Sequence, residues 1–134
     1  MKKRGFTLVE IMFVVAIIAL LAAIAIPNLL KARKAANDAV AKTNLKTLAT
    51  ELETYAAGTG LAEYPADEAA FKAISAAATK YLSDTCKSAA GCGGFIYAGG
   101  SSIGPGGYTL TATPVSNQTG SATYTISTGG ALTP

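Results

Sequence analysis

Residues 4–15, RGFTLVEIMFVV, begin the longest apolar run in the chain and place one carboxylate, Glu10, inside it. Between Phe6 and Ile26 only Thr7 and Glu10 are polar, and Ile11 to Ile26 has no polar side chain. As a helix rising about 1.5 Å per residue, this run spans about 31 Å, close to the hydrocarbon thickness of a bilayer. A segment built only to cross a membrane does better without Glu10, because a charge within a membrane helix costs a few kcal/mol at the centre and less near an end.

Two ordinary readings leave features unexplained. A secretory signal peptide would use Lys2, Lys3 and Arg4 as its basic region, Ile11 onward as its apolar region and Ala23-Ile24-Ala25 as its cleavage site. Glu10 inside the run, Pro27 just past the cut and the length of the run all count against it. A plain transmembrane anchor explains the length but not Glu10. Its orientation is nearly a tie, with Lys2, Lys3 and Arg4 on one flank and Lys31, Arg33 and Lys34 on the other.

Lys-Lys-Arg-Gly followed by Phe-Thr-Leu-Val-Glu and an unbroken apolar helix resembles the processing signature of type IV prepilins and of the related pseudopilins of secretion systems. It is most like that of a small major type IVa pilin. The matching stretch runs from Lys2 to about Arg33, and Gly5, Phe6, Glu10 and Pro27 carry it through their spacing. The resemblance implies cleavage between Gly5 and Phe6 by a prepilin peptidase on the cytoplasmic side, followed by N-methylation of Phe6. It also implies an inner-membrane precursor, pilus assembly machinery, and assembly with copies of the same chain into a helical filament on the bacterial surface. A structural subunit serving motility, adhesion or DNA uptake is expected. The alternatives are a pseudopilin of a type II secretion system or a minor pilin.

Elementary electrostatics agrees. An ammonium created at Phe6 in a low-dielectric layer is costly unless an opposite charge is near. Glu10 lies about 6 Å along the helix from Phe6, which suits the terminus of an axially shifted neighbour better than its own. Glu10 is therefore expected to set the register of assembly. The alternative is that it snorkels to the head groups.

Pro27 is expected to kink or locally unwind the helix, because it lacks the N–H that would bond the Ala23 carbonyl. From Leu29 to about Ala57 the chain reads as an amphipathic helix with a stripe of Ala36, Val40, Leu45, Leu48, Leu52 and Tyr55, and Gly58 as C-cap. A loop from Thr59 to Ala66 leads to a short helix over 67–82, capped by Asp67, with Phe71, Ile74, Ala78 and Tyr81 on one face. Cys86 and Cys92 can close a small disulfide loop, adding about 2 kcal/mol, or remain two free thiols. Residues 94–98, 107–113 and 122–127 alternate, are rich in Tyr, Thr and Ile, and read as three antiparallel strands with Tyr108, Leu110, Ala112, Tyr124 and Ile126 on the packed face.

The expected fold is α+β, a long N-terminal helix packed on a small C-terminal antiparallel sheet of about three strands. The expected divisions are a cleaved leader (1–5), an apolar membrane or filament-core helix (6–27), its amphipathic half (28–57), a connection with a short helix (58–93) and the sheet region (94–134).

The chain has 134 residues and a formal charge of +3, but Lys2, Lys3 and Arg4 supply all of the excess, so a nucleic-acid-binding face is not expected. Histidine is absent, which removes every base or metal site that depends on imidazole. No catalytic group, cofactor, metal or small-molecule substrate is expected, and the chain does not read as an enzyme. The Gly-rich segment from Ala98 to Gly107 lacks the Lys-Ser/Thr of a phosphate loop, and Asn117-Gln118-Thr119 is a sequon of a kind that arises easily by chance. After Lys87 no Asp, Glu, Lys or Arg occurs in 47 residues. By resemblance, major pseudopilins hold calcium with acidic residues in that region, so the uncharged tail favours a pilus subunit.

Overall fold

The computed structural model describes residues 5–60, 63–97 and 102–134. The basic leader residues Lys2, Lys3 and Arg4, part of the loop after the long helix, and Ala98 at the end of the first expected strand lie outside the described residues. The chain divides into two compact units, Met1–Arg33 and Lys34–Pro134.

Helix α1 runs Leu8–Thr59. It has no glycine before Gly58 and is dominated by Ala and Leu, the residues that lose least on entering a helix. The helix is continuous through Pro27, so the local unwinding expected there is not observed. It ends beyond Gly58: Gly60, at φ +68°, takes the left-handed conformation that terminates helices without a Cβ penalty.

In the first unit the side chains of α1 from Leu8 to Leu30 are exposed, apart from the half-buried Ala22. In the second unit the same helix buries Asp38, Ala41, Asn44, Leu45, Leu48, Ala49, Leu52 and Ala56. That stripe corrects the expected one. Val40 and Tyr55 are 49% and 38% exposed, and Ala36 is exposed as well. Val40 is about 100° around the helix from the buried Ala41 and so points away from the core.

The expected single helix over 67–82 is two helices, α2 (Glu68–Ile74) and α3 (Ala76–Tyr81), followed by a short α4 (Asp84–Lys87). Asp67 does cap the first, accepting the Ala70 N–H at 2.8 Å. Ser75 makes the break. Its backbone is extended, its hydroxyl accepts the Ala78 N–H at 2.8 Å, and it donates to the Glu51 carboxylate of α1. On the expected face Phe71 and Ala78 are buried, whereas Ile74 is exposed and Leu82 takes its place in the core.

The sheet has five strands among the described residues, against about three expected: β1 (Phe95–Ile96), β2 (Ser102–Gly104), β3 (Gly107–Pro114), β4 (Tyr124–Ser127) and β5 (Ala131–Thr133). All pairings are antiparallel in the order β1-β3-β4-β5, and β2 also pairs with β3. The N-terminal half of β3 bonds β2 and its C-terminal half bonds β1, so β3 is the spine of the sheet. Tyr108, Leu110, Ala112, Tyr124 and Ile126 are all buried, as the alternation requires. They form one core with Leu45, Leu48 and Leu52 of α1 and with Phe71, Leu82, Phe95 and Tyr97.

Polar groups pin the sheet region to α1 along one helix face. Lys34 donates to Asn117, Asn37 donates to the Thr119 carbonyl, and Asp38 accepts the Ser121 N–H at 2.9 Å. Deeper in, Asn44 donates to the Tyr97 hydroxyl at 2.7 Å. Gly120 sits where the 116–121 turn meets Phe95, and a Cβ there would lie 2.4 Å from the ring.

Candidate functional site: the start of the long helix

Gly5, Phe6 and Thr7 are non-helical and exposed, and α1 starts at Leu8. Thr7 and Glu10 fix that start between them. The Thr7 hydroxyl accepts the Glu10 N–H at 3.2 Å, and the Glu10 carboxylate reaches back to the Thr7 N–H at 3.4 Å and to its hydroxyl at 3.5 Å. This is a capping box, Thr-x-x-Glu, in which two of the orphan donors at a helix start are satisfied reciprocally. The Ile11 N–H bonds the Thr7 carbonyl at 3.3 Å and closes the first turn. A carboxylate in the first turn is also favoured by the helix dipole.

The structure pairs Glu10 with Thr7, which the sequence analysis treats only as an interruption of the apolar run, and leaves Gly5 and Phe6 exposed just before them. Thr-x-x-Glu immediately before an apolar run was the signal that could have identified it. Pro27 lies further along α1, helical on both sides. Glu10 has a use within its own subunit that neither register-setting nor snorkelling anticipates.

Beyond this cap, residues 8–30 other than Ala22 are exposed among the described residues. Phe6 is 81% exposed, Leu20 69% and Leu29 70%, and the apolar stretch of the helix is not buried. It is long and apolar enough to cross a membrane.

Cys86 and Cys92 belong to the second unit and form a disulfide, which settles the choice left open between a bond and free thiols. The bond ties α4 to β1, because Cys92 exchanges backbone hydrogen bonds with Phe95 and the Cys86 carbonyl accepts the Tyr97 N–H. Gly91, at φ +59°, makes the closure possible: a Cβ there would lie 2.5 Å from the Phe95 carbonyl oxygen. Among the described residues no group of three or more Cys, Asp or Glu side chains is placed to hold a metal ion.

A second carboxylate in the same unit is held closely. Glu53 of α1 accepts the Gly129 N–H (2.8 Å) and the Tyr108 hydroxyl (2.9 Å) on Oε1, and the Tyr64 hydroxyl (3.0 Å) on Oε2. The Gly129 N–H above all, and then the two hydroxyls, hold its pKa below the usual carboxylate value against the opposing effect of burial. Burial first, and then the bond to Glu53, push the Tyr108 phenol up.

The first unit presents an apolar helix with a capped start and a carboxylate in its first turn, and the second is a disulfide-bonded α+β unit. Known proteins share parts of this sequence. Residues 1–26 match the prokaryotic N-terminal methylation motif. The type IV major pilin protein PilA of Myxococcus xanthus is 54% identical over 54 residues, which is 40% of this chain and 24% of that protein. The type IV wide pilus major component PilA4 of Thermus thermophilus is 54% identical over 52 residues, 39% of this chain and 40% of that protein. The type II secretion system core protein G of Pectobacterium carotovorum is 34% identical over 73 residues, 54% of this chain and 46% of that protein. The matches span less than half the length of each of these relatives. No solved structure matches. The chain carries this methylation motif and is similar, over part of its length, to type IV major pilins.

Proposed function

We propose that this protein is the structural subunit of a type IV pilus-like filament. The precursor sits in the inner membrane through residues 6–27, is cut after Gly5 by a prepilin peptidase, is N-methylated on Phe6, and is assembled by the pilus machinery into a helical bacterial surface filament of like subunits. Motility, adhesion and DNA uptake are the roles such a filament serves, and no catalytic activity or small-molecule substrate is assigned to it.

The observation that carries this reading is the uncovered apolar helix that begins at the methylation motif. Side chains this apolar and this exposed are stable in lipid before assembly and against other helices afterwards. Glu10 supplies the link between the two states. Its charge is a burden for an isolated subunit in lipid and an attraction for the Phe6 ammonium of an axially shifted neighbour. Pro27 provides a point where the helix can bend during that transfer, because it removes one backbone bond.

A second reading, a pseudopilin of a type II secretion system, draws on the similarity to core protein G, which spans more of this chain than the two pilin matches do. The uncharged sequence after Lys87 favours the pilus. Electron microscopy of sheared surface filaments, with mass spectrometry of their subunit, tests the proposal. A filament of chain 6–134 methylated on Phe6 is expected, and filaments lacking it would refute the assignment. Glu10→Ala is expected to insert in the membrane and fail to assemble. Normal filaments from that variant would remove Glu10 from register-setting.

A further inference from the structure

The chain between Gly5 and Leu8 leaves the helix abruptly, and two side chains enforce the change. Thr7 and Glu10 hold each other's backbone N–H groups, so α1 starts at Leu8, with Gly5, Phe6 and Thr7 outside it. Among the described residues nothing crowds Gly5 or Phe6. A Cβ built on Gly5 would meet no atom within 4 Å, and Phe6 is 81% exposed. The same bond falls inside the stretch that matches the methylation motif.

We propose that Thr7 is a positioning residue for processing: its reciprocal cap with Glu10 stops the helix at Leu8 and presents the Gly5–Phe6 peptide bond to the peptidase in non-helical form, at a fixed distance from the membrane helix. The inference rests on the processing reading above. Hydrolysis takes up one water, breaks the amide C–N bond and leaves a carboxylate on Gly5 and an ammonium on Phe6. A bond inside a helix has its carbonyl and N–H committed to the ladder, so the peptidase would first have to unwind it. A helix without its cap starts over several registers, and the bond is then correctly placed in only a fraction of molecules.

Glu10 then has two separable uses. A glutamine at the third helical position still completes a capping box, so Glu10→Gln keeps the cap and loses the charge. Thr7→Val keeps the charge and the shape of the side chain and loses the cap.

The test is a cleavage time course of the full-length precursor in membrane vesicles, mixed with membranes containing prepilin peptidase, with the product's N-terminus read by mass spectrometry. Thr7→Val is expected to be cut about fivefold more slowly, the population change that a typical cap loss of about 1 kcal/mol corresponds to. Thr7→Ser, Thr7→Asn and Glu10→Gln cap as well as the natural pair and are expected within about twofold of the unmodified precursor. Cleavage of Thr7→Val at the unmodified rate overturns the inference. So does equal slowing of Thr7→Ser and Thr7→Asn, which would mean that the peptidase reads the threonine methyl itself. An unmodified precursor that is not cut after Gly5 overturns the processing reading, a failure seen before any variant is compared.

Discussion

Glu53 is the polar group whose removal should be felt most widely in the second unit, because it joins α1, the segment after it and the β4–β5 turn through one carboxylate. Glu53→Gln keeps size and one acceptor oxygen but places an NH2 where a hydroxyl or N–H now donates. A hydrogen bond to a charged group contributes about 1.5–3 kcal/mol net. Three such bonds on a partly exposed side chain that keeps one acceptor give a loss of about 2 kcal/mol. For a unit of this size that corresponds to a melting temperature lower by roughly 10 °C. Because the folded pKa of Glu53 is lowered, its contribution is complete above the unfolded carboxylate value and is lost as pH falls through the lower folded value. Tyr108 has the opposite sign: its raised pKa contributes fully below about 10, the unfolded phenol value, and is lost as pH rises through the folded one. Tyrosine near-UV circular dichroism of the full chain in detergent, melted across pH, reads both arms. Glu53→Gln should remove the acid arm of the stability profile below about pH 4.5, and Tyr108→Phe should reduce the alkaline arm above about pH 10. The two losses should not add, because each variant breaks the same bond. A Glu53→Gln melting temperature within about 2 °C of the parent, with the acid arm intact, would refute the reasoning.

Three further substitutions probe the core and its closures by urea unfolding. Leu48, fully buried between α1 and the sheet, should lose about 3 kcal/mol on replacement by alanine, with an unchanged m-value. Gly120→Ala places a methyl 2.4 Å from Phe95 Cζ and 2.9 Å from Pro114 Cβ and should destabilise by about 1–3 kcal/mol, with a shifted Phe95 environment in NMR. Replacing Cys86 and Cys92 together by alanine should cost about 2 kcal/mol, and reducing agent should then have no further effect.

The parts of the fold that were legible in the sequence are those specified locally. Strict alternation placed Tyr108, Leu110, Ala112, Tyr124 and Ile126 on the buried face, because a strand's side-chain period is two whatever it pairs with. Asp67 was readable as a cap for the same reason: its bond closes within three residues. Strands β2 and β5 carry no such signal. Each has three residues in a Gly-rich or Thr-rich context, and their ladders are supplied by β3 and β4. The helix stripe was misread at Ala36, Val40 and Tyr55 because hydrophobicity was taken to mark the buried face. The inward face is instead set by where the sheet can approach, and it admits Asp38 and Asn44 because Ser121 and Tyr97 meet them from 83 and 53 positions away. Ser75 broke the expected helix because its hydroxyl bonds both Ala78 and Glu51, and the second of those partners lies on α1.

Glu10 was legible as a charge and illegible as a cap, although the cap is the more local of its two uses. Against an apolar background a carboxylate stands out by its desolvation cost and calls for a partner of opposite sign, which on the proposed reading the cleaved Phe6 of a neighbour would provide. Thr7, three residues earlier, offers a weaker but immediate partner, and the structure has Glu10 bonded there. The two uses differ in when they act. On the proposed reading, the cap would operate in the single precursor, before any ammonium exists at Phe6. On the proposed reading, the charge would become an attraction once that ammonium has been made and another subunit lies alongside. Because a glutamine serves the first use and not the second, one substitution separates them: Glu10→Gln should yield precursor that is cut at the normal rate and subunits that remain in the membrane.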